Sequence, residues 1–393
     1  MRIKITYLAT LVFALLFLVI GNKIATTGMV NFQNSSQEFV RAKVQRIVDR
    51  IENNYDFIYD YDDFGDFDFY DDYSDIPMML QGSKIIFEAR ITHGTRKGEI
   101  VTASQSSIIM LPGNDRDVFK NASILLTYSN NEWYFNGFYR INGLIWLGVL
   151  FVLCVFILGR KKGVNTILSL GLTCVAIFAV FIPAILSGKN IYLFSIIVCI
   201  YTTVVTLLIV IGFNTKSLAS VAGCVSGILI AGIIALVMDR VLKLTGITDE
   251  HSRYLINMPG DIKLNLRALV FAGIIIGAMG AIMDVAISIS SSLWEIKEKA
   301  ESISFKTLFR SGINIGRDIM GSMANTLILA YIGSSLSVVL LLTVFSGSVL
   351  NLFNSEMIAV EILQALAGSF GILSAIPLTA LFCSFLYLKD TGK

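Results

Sequence analysis

The chain is poor in charge, histidine and cysteine, and each shortage excludes something. Of its 393 residues only 15% are charged, where a soluble globular domain carries about 25%. An ordinary soluble surface is therefore excluded for most of the length. The two histidines, His93 and His251, are far apart, and a zinc centre takes three or four ligands. The five cysteines (Cys154, Cys174, Cys199, Cys224 and Cys383) all lie in apolar runs, with none between residues 31 and 140. That excludes a disulfide framework in that region and a C-x-x-C metal site anywhere. No G-x-S-x-G, H-E-x-x-H or P-loop pattern occurs. The reading is of a chain that is not an enzyme, with no cofactor and no metal. A net charge of +2 gives no reason to expect nucleic acid as a partner.

What is present is hydrophobic length. Hydrophobic residues make up 55% of the chain, gathered into runs of the ~18 residues or more that can cross a bilayer. The first run, Tyr7–Gly21, follows Arg2 and Lys4. No A-x-A site comes after it, so residues 1–30 read as an uncleaved signal anchor. Residues 141–393 read as a seven-helix membrane domain, with spans near 144–158, 166–186, 191–212, 218–238, 268–289, 319–345 and 366–388. Lys and Arg concentrate in cytoplasmic loops. Arg160-Lys161-Lys162, between the second and third spans, therefore belongs inside. Counting from it puts both termini in the cytoplasm and residues 31–140 outside. The basic stretch 239–267 falls on the outer side by the same count, against the rule.

Residues 31–140 carry charge at a soluble density and read as an extracytoplasmic β domain. Lys84–Ile91, Glu99–Ala103, Ile124–Tyr128 and Glu132–Phe138 are rich in β-branched and aromatic residues, with a turn at Gly94–Gly98. The expected fold is a small OB-like or SH3-like barrel, or a sandwich. Inserted in it is Asn53–Asp75, with nine aspartates among Tyr and Phe and no Lys or Arg. Such a segment repels itself and stays loose. Clustered carboxylates also suit calcium, but Asp60–Asp66 lacks the glutamate that closes an EF-hand loop.

The chemistry concentrates in 268–370. On a helix, Gly273, Gly277, Gly280, Asp284 and Ser288 recur at i+4, i+3, i+4, i+4. The glycines read as a stripe for close helix packing. Asp284 lies about 24 Å along its span at 1.5 Å per residue. An ionised side chain inside a bilayer costs roughly 2.5–3.5 kcal/mol, so a partner is expected. Asn314, Asp318, Ser322 and Asn325 share a face of the next helix, with Arg317 adjacent. Arg317 pairing with Asp284 is one expectation, as a structural ion pair or as part of a polar path. The flanking pattern of intramembrane aspartyl proteases is missing. Glu356–Gln364 reads as an interfacial helix, and Pro377 as a kink in the last span.

Three blocks carry a resemblance: Gly277–Ala286, Ser311–Gly321 with its Asn314-Ile315-Gly316-Arg317-Asp318 core, and Asn325–Tyr331 with Asn354-Ser355-Glu356. They resemble the YibE/YibF family of bacterial membrane proteins, and the resemblance extends over the whole chain. It implies a plasma membrane of the Gram-positive type and assigns no catalytic residue. The acidic insertion departs from the family pattern. The resemblance carries no biochemical function; the polar residues on these two helices favour transport or permeation of a small solute or ion. Asp284, Asn314, Arg317, Asp318, Ser322 and Asn325 would form its polar intramembrane site. The alternative is a non-catalytic envelope module whose outer domain binds a protein partner. The expected partners are the lipid bilayer, a small solute or ion, and an envelope protein or a second copy of the chain.

Overall fold

A computed structural model describes residues 2–29, 39–55, 80–109, 116–129, 131–248, 250–256, 264–300, 302–345 and 348–389. They divide into two compact units, residues 32–151 and a helical unit of residues 1–31 with 152–393.

The first unit holds five strands: β1 Phe39–Tyr55, β2 Leu80–Ile91, β3 Ile100–Ile109, β4 Ser123–Ser129 and β5 Glu132–Phe138. They close into a barrel in the order β1-β2-β3-β5-β4, β1 pairing with both β2 and β4. β3 and β5 run parallel. Strand β1 can serve both neighbours because two register shifts bend it, between Val44 and Arg46 and between Ile47 and Asp49. Alternation fills the barrel: Ile85, Phe87, Ala89 and Ile91 point inward against Val40, Val44, Ile124, Leu126 and Trp133. Gly94 and Gly98 have φ of +103° and +97° in the turn between β2 and β3, a region that favours glycine. Four of the strands lie where branched residues place them. β1 was missed, its apolar positions being broken by four arginines and lysines. On the surface Arg46 grips Glu88 with both fork nitrogens, at 2.8 and 2.5 Å. That hydrogen bond holds the Glu88 carboxyl below the usual glutamate range. The pair's small contribution is thus present at neutral pH and is lost as pH falls through the lowered pKa. Residues 56–79, where the calcium reading falls, lie outside the described residues.

The helices are α1 Arg2–Thr26, α2 Ile141–Ala176, whose residues from 152 on belong to the helical unit, a π-helical turn at Ile177–Phe181, and α3 Ile182–Leu186. Then follow α4 Ile191–Ile211, α5 Thr215–Val241, α6 Glu250–Ile256, α7 Leu266–Lys299 and α8 Phe305–Ser334. α9 Leu336–Phe345, α10 Val349–Asn354 and α11 Glu356–Lys389 complete it. α2 is two helices in one: Arg160 takes φ 47°, ψ −124°, and a Cβ on Gly163 would strike the Val155 carbonyl. The chain bends sharply back at the basic triplet where a loop between spans was expected.

α1 is seated by polar contacts as well as packing. Tyr7 donates to Asn165 Oδ1 at 3.1 Å, and Tyr201 to the Ala14 carbonyl at 3.2 Å. Asn22 Nδ2 donates to the Ala179 carbonyl, in the π turn, at 2.5 Å. A π turn shifts the i→i−4 ladder, and this side chain takes up a carbonyl there. Ala14, Leu18 and Ala25 are buried.

α11 is the scaffold, packing on α5, α7 and α8. Gly227 meets Ile282, the Gly371 carbonyl and Ala375. Gly223 meets Thr379, Gly312 meets Ala380 and Leu293, Gly316 meets Ile376, and Gly368 meets Leu327 and Ala278. Each of these glycines leaves no room for a Cβ. Two expectations are corrected here. α11 runs as one helix through Pro377 and the proline does not interrupt it; the ring lies on the exposed side of the helix while Ile372, Ala375, Ile376 and Ala380 hold the other side in the core. Glu356–Gln364 is the first part of α11 and not a separate interfacial helix; Ile358, Val360 and Leu363 are buried in the core.

Contacts of Tyr7 with Asn165, Asn165 with the Ile209 carbonyl, Ser220 with Ser290, and Tyr387 with the Ser290 carbonyl bind one end of the bundle together. That end carries Arg160, Lys161, Lys162, Lys216, Lys297, Lys299 and Lys389, and the opposite end carries Lys23, Lys189, Arg240, Lys243 and Arg267.

Gly227→Ala should lower the thermal unfolding midpoint of the full chain, by the equivalent of about 1–3 kcal/mol for overpacking. Gly171→Ala, with open space at its Cβ position, should not. Phe87→Ala, at the centre of the barrel, should cost about 3–5 kcal/mol and show as faster proteolysis within residues 39–138 of the intact protein.

Candidate functional site

α8 positions the site. Leu308, Gly312, Gly316 and Leu327 form its buried face, the glycines letting it lie directly on α11. The opposite face is polar for the same reason of period: Asn314, Arg317, Asp318, Ser322 and Asn325 are all exposed, with Arg310 a turn before. Ser304 caps the helix, accepting from the Thr307 amide at 3.2 Å. Ser322 and Thr326 bond back to carbonyls of their own helix, so their hydroxyls are satisfied without a neighbour.

α7 flanks this face. Gly277 lies under the Tyr331 hydroxyl, and Leu293 touches Gly312, so the two helices run antiparallel. Interpolating between those contacts sets Asp284 level with residues 321–324, on the order of 6–10 Å along the axis from Arg317 at 1.5 Å per residue. The expected Arg317–Asp284 pair is therefore not formed. Among the described residues the ion pairs are Arg46–Glu88 and Arg50–Asp117, both in the barrel. Asp284 is exposed and level with Ser322. The exposed face of α8 thus holds Asn314, Asp318, Ser322 and Asn325 with Arg317 at its edge, and Asp284 is exposed separately on α7.

Two more expectations change. The span 319–345 is two elements, α8 and α9, joined at Ser335. Asn314–Asn325 accordingly lies in the middle of a 30-residue helix and not at the start of a span. Of Gly273, Gly277 and Gly280, Gly277 packs closely, under the Tyr331 hydroxyl; a Cβ on Gly273 would meet only Gln364, at 3.8 Å, and one on Gly280 nothing within 4 Å. The seam glycines are those facing α11.

Sequence reasoning missed three groups. The Tyr331 hydroxyl is buried over the glycine stripe and has no hydrogen-bond partner among the described residues. Gln364 Nε2 lies 3.8 Å from where a Cβ on Gly273 would be. Each is a single polar group on an apolar helix and leaves no periodic signal. The third is Glu356, whose carboxylate accepts from the Thr245 amide at 2.7 Å, the Thr245 hydroxyl at 2.9 Å and the Gly246 amide at 2.6 Å. It ties the end of α5 to the first turn of α11, where a negative charge also suits the helix dipole. Gly246 has φ +86°, which lets successive amides converge on the carboxylate. Among the described residues no three His, Cys, Asp or Glu side chains gather as a metal centre would require.

The family model described as YibE/F-like protein matches residues 147–389. The chain belongs to the YibE/F-like family. The match takes in the helices from within α2 to the end of α11, with the whole polar strip and the Glu356 clasp. It leaves out α1 and the barrel, so the family relation is established on the helical part. No curated protein and no solved structure matches the chain.

Glu356→Ala should lower the thermal midpoint of the purified protein by the equivalent of about 1.5–3 kcal/mol, the range for hydrogen bonds to a charged group. Glu356→Gln should recover part of that, since one oxygen still accepts.

Proposed function

We propose that this is an integral membrane protein that lets a small solute or ion cross the bilayer along the polar strip of α7 and α8. Six segments, with α2–α3 taken as one, are long and apolar enough to cross a membrane; the bend at Arg160 makes two crossings of that one. α8 is the next crossing, α7 and α11 being its neighbours. The end of the bundle that carries Arg160-Lys161-Lys162 is then cytoplasmic, with both termini there and the barrel outside. The seating of α1 in the core supports its retention as an anchor.

The observation that carries the reading is the exposed face of α8. It bears Asn314, Arg317, Asp318, Ser322 and Asn325 beside Asp284. Each charged group facing lipid would cost roughly 2.5–3.5 kcal/mol. Facing water or a hydrated solute, they cost little. Tyr331 adds a donor without a partner, worth about 1–3 kcal/mol to whatever satisfies it. Carboxylates, amides and an arginine suit a small hydrated or zwitterionic solute, or an ion.

The test is a thermal shift screen of the detergent-purified wild type, Asp284→Asn and Asp318→Asn against ions and small metabolites. One ligand should stabilise the wild type, by about 2.7 kcal/mol at 100-fold over its Kd. Both variants should lose the shift, and Asp284→Asn should keep the baseline midpoint. Variants that melt early, with no ligand shifting the wild type, would make these carboxylates structural and turn attention to the barrel.

A further inference from the structure

We infer that the polar strip is closed by a second copy of this chain, α8 against α8 about a two-fold axis. This rests on the reading of α8 as a membrane crossing. Within one chain the strip has a floor, made by α7 and α8, and no wall. Asn314, Arg317, Asp318, Ser322 and Asn325 all point away from α11 and are exposed. Facing the bilayer, that strip would be expensive at every turn; a path for a hydrated solute needs a second side.

The chemistry of the face selects the occupant. At the middle of the exposed face of α8 Arg317 and Asp318 stand side by side, with Lys306 and Arg310 nearer the start of the helix. The middle of the face therefore carries both signs side by side. A two-fold interface brings the same patch against itself, so that residue i meets j and j meets i. Arg317 of one chain then meets Asp318 of the other, and the reverse pair forms at the same time. An arginine fork bonds a carboxylate through two N–H groups and holds it ionised. Neither residue has an ion-pair partner among the described residues of its own chain. The small residues on this face, Gly321 and Ser322, allow close approach, with open space at the Gly321 Cβ position.

The experiment is the mass of the full chain in mild detergent by light scattering, on charge-swap variants. Wild type should run at twice the 43.2 kDa of one chain. Arg317→Asp and Asp318→Arg should each run as one chain, and the double swap, R317D with D318R, should restore the pair. In native membranes, Ser322→Cys in a Cys154→Ser, Cys174→Ser background should form an oxidant-induced dimer. Wild type running as one chain overturns the inference. So does a dimer indifferent to all three swaps and not trapped through position 322, or a different protein found on this face. A single chain that still gives the ligand shift removes the second copy and leaves the transport reading standing. A dimer that obeys the swaps and gives no ligand shift does the opposite.

Discussion

The helical unit depends on how closely α5, α7 and α8 can approach α11. Gly223, Gly227, Gly312, Gly316, Gly368 and Gly371 each sit where a Cβ would collide with a neighbour. Without those gaps the helices could not interlock so closely. Dispersion gained over that close contact is individually small and collectively large, and it is the main adhesive available to helices with no water between them. The polar contributions are local. Glu356 clasps the loop after α5 at one end, and Ser220, Ser290 and Tyr387 are linked at the other.

The orientation of α8 follows from that constraint. Gly312 and Gly316 are four residues apart, so they mark one face, and that face is spent on α11. With a period of 3.6 residues per turn, Asn314, Arg317, Asp318, Ser322 and Asn325 are left pointing outward. Packing and polarity are thus two readings of a single helical repeat. Tyr331 turns instead toward α7, its hydroxyl over Gly277, and Asp284 is exposed on α7 itself. A functional account of this chain has to explain why its most polar helix face is also its least covered.

Much of this was legible in the residues. Apolar length and the Arg160-Lys161-Lys162 triplet marked the helices and the bend between the two halves of α2. Alternation marked β2, β3, β4 and β5. The period of Asn314–Asn325 marked one face of one helix. What periodicity cannot carry is partner and register. It put Arg317 against Asp284, whereas the contacts of Gly277 with Tyr331 and Gly312 with Leu293 slide the two helices past that match. It took Gly273, Gly277 and Gly280 for the packing seam because they are close in sequence. The real seam uses the pairs Gly223/Gly227 on α5, Gly312/Gly316 on α8 and Gly368/Gly371 on α11, whose spacing marks a face but does not name the helix it meets. β1 was hidden by its surface arginines and lysines, and the Glu356 clasp by its 110-residue separation from Gly246.

The central claim is that the glycine face of α8 docks on α11 and the polar face does not. Cysteine pairs read this directly, in a full chain with its five native cysteines changed to alanine. A Cβ on Gly312 falls 2.6 Å from the Ala380 Cβ, and a small adjustment brings that to the ~3.8 Å a disulfide spans. Gly312→Cys with Ala380→Cys should oxidise to an intrachain bridge in membranes, and Asn314→Cys with Ala380→Cys should not. Bridging by the second pair and not the first would turn the polar face inward and contradict the account.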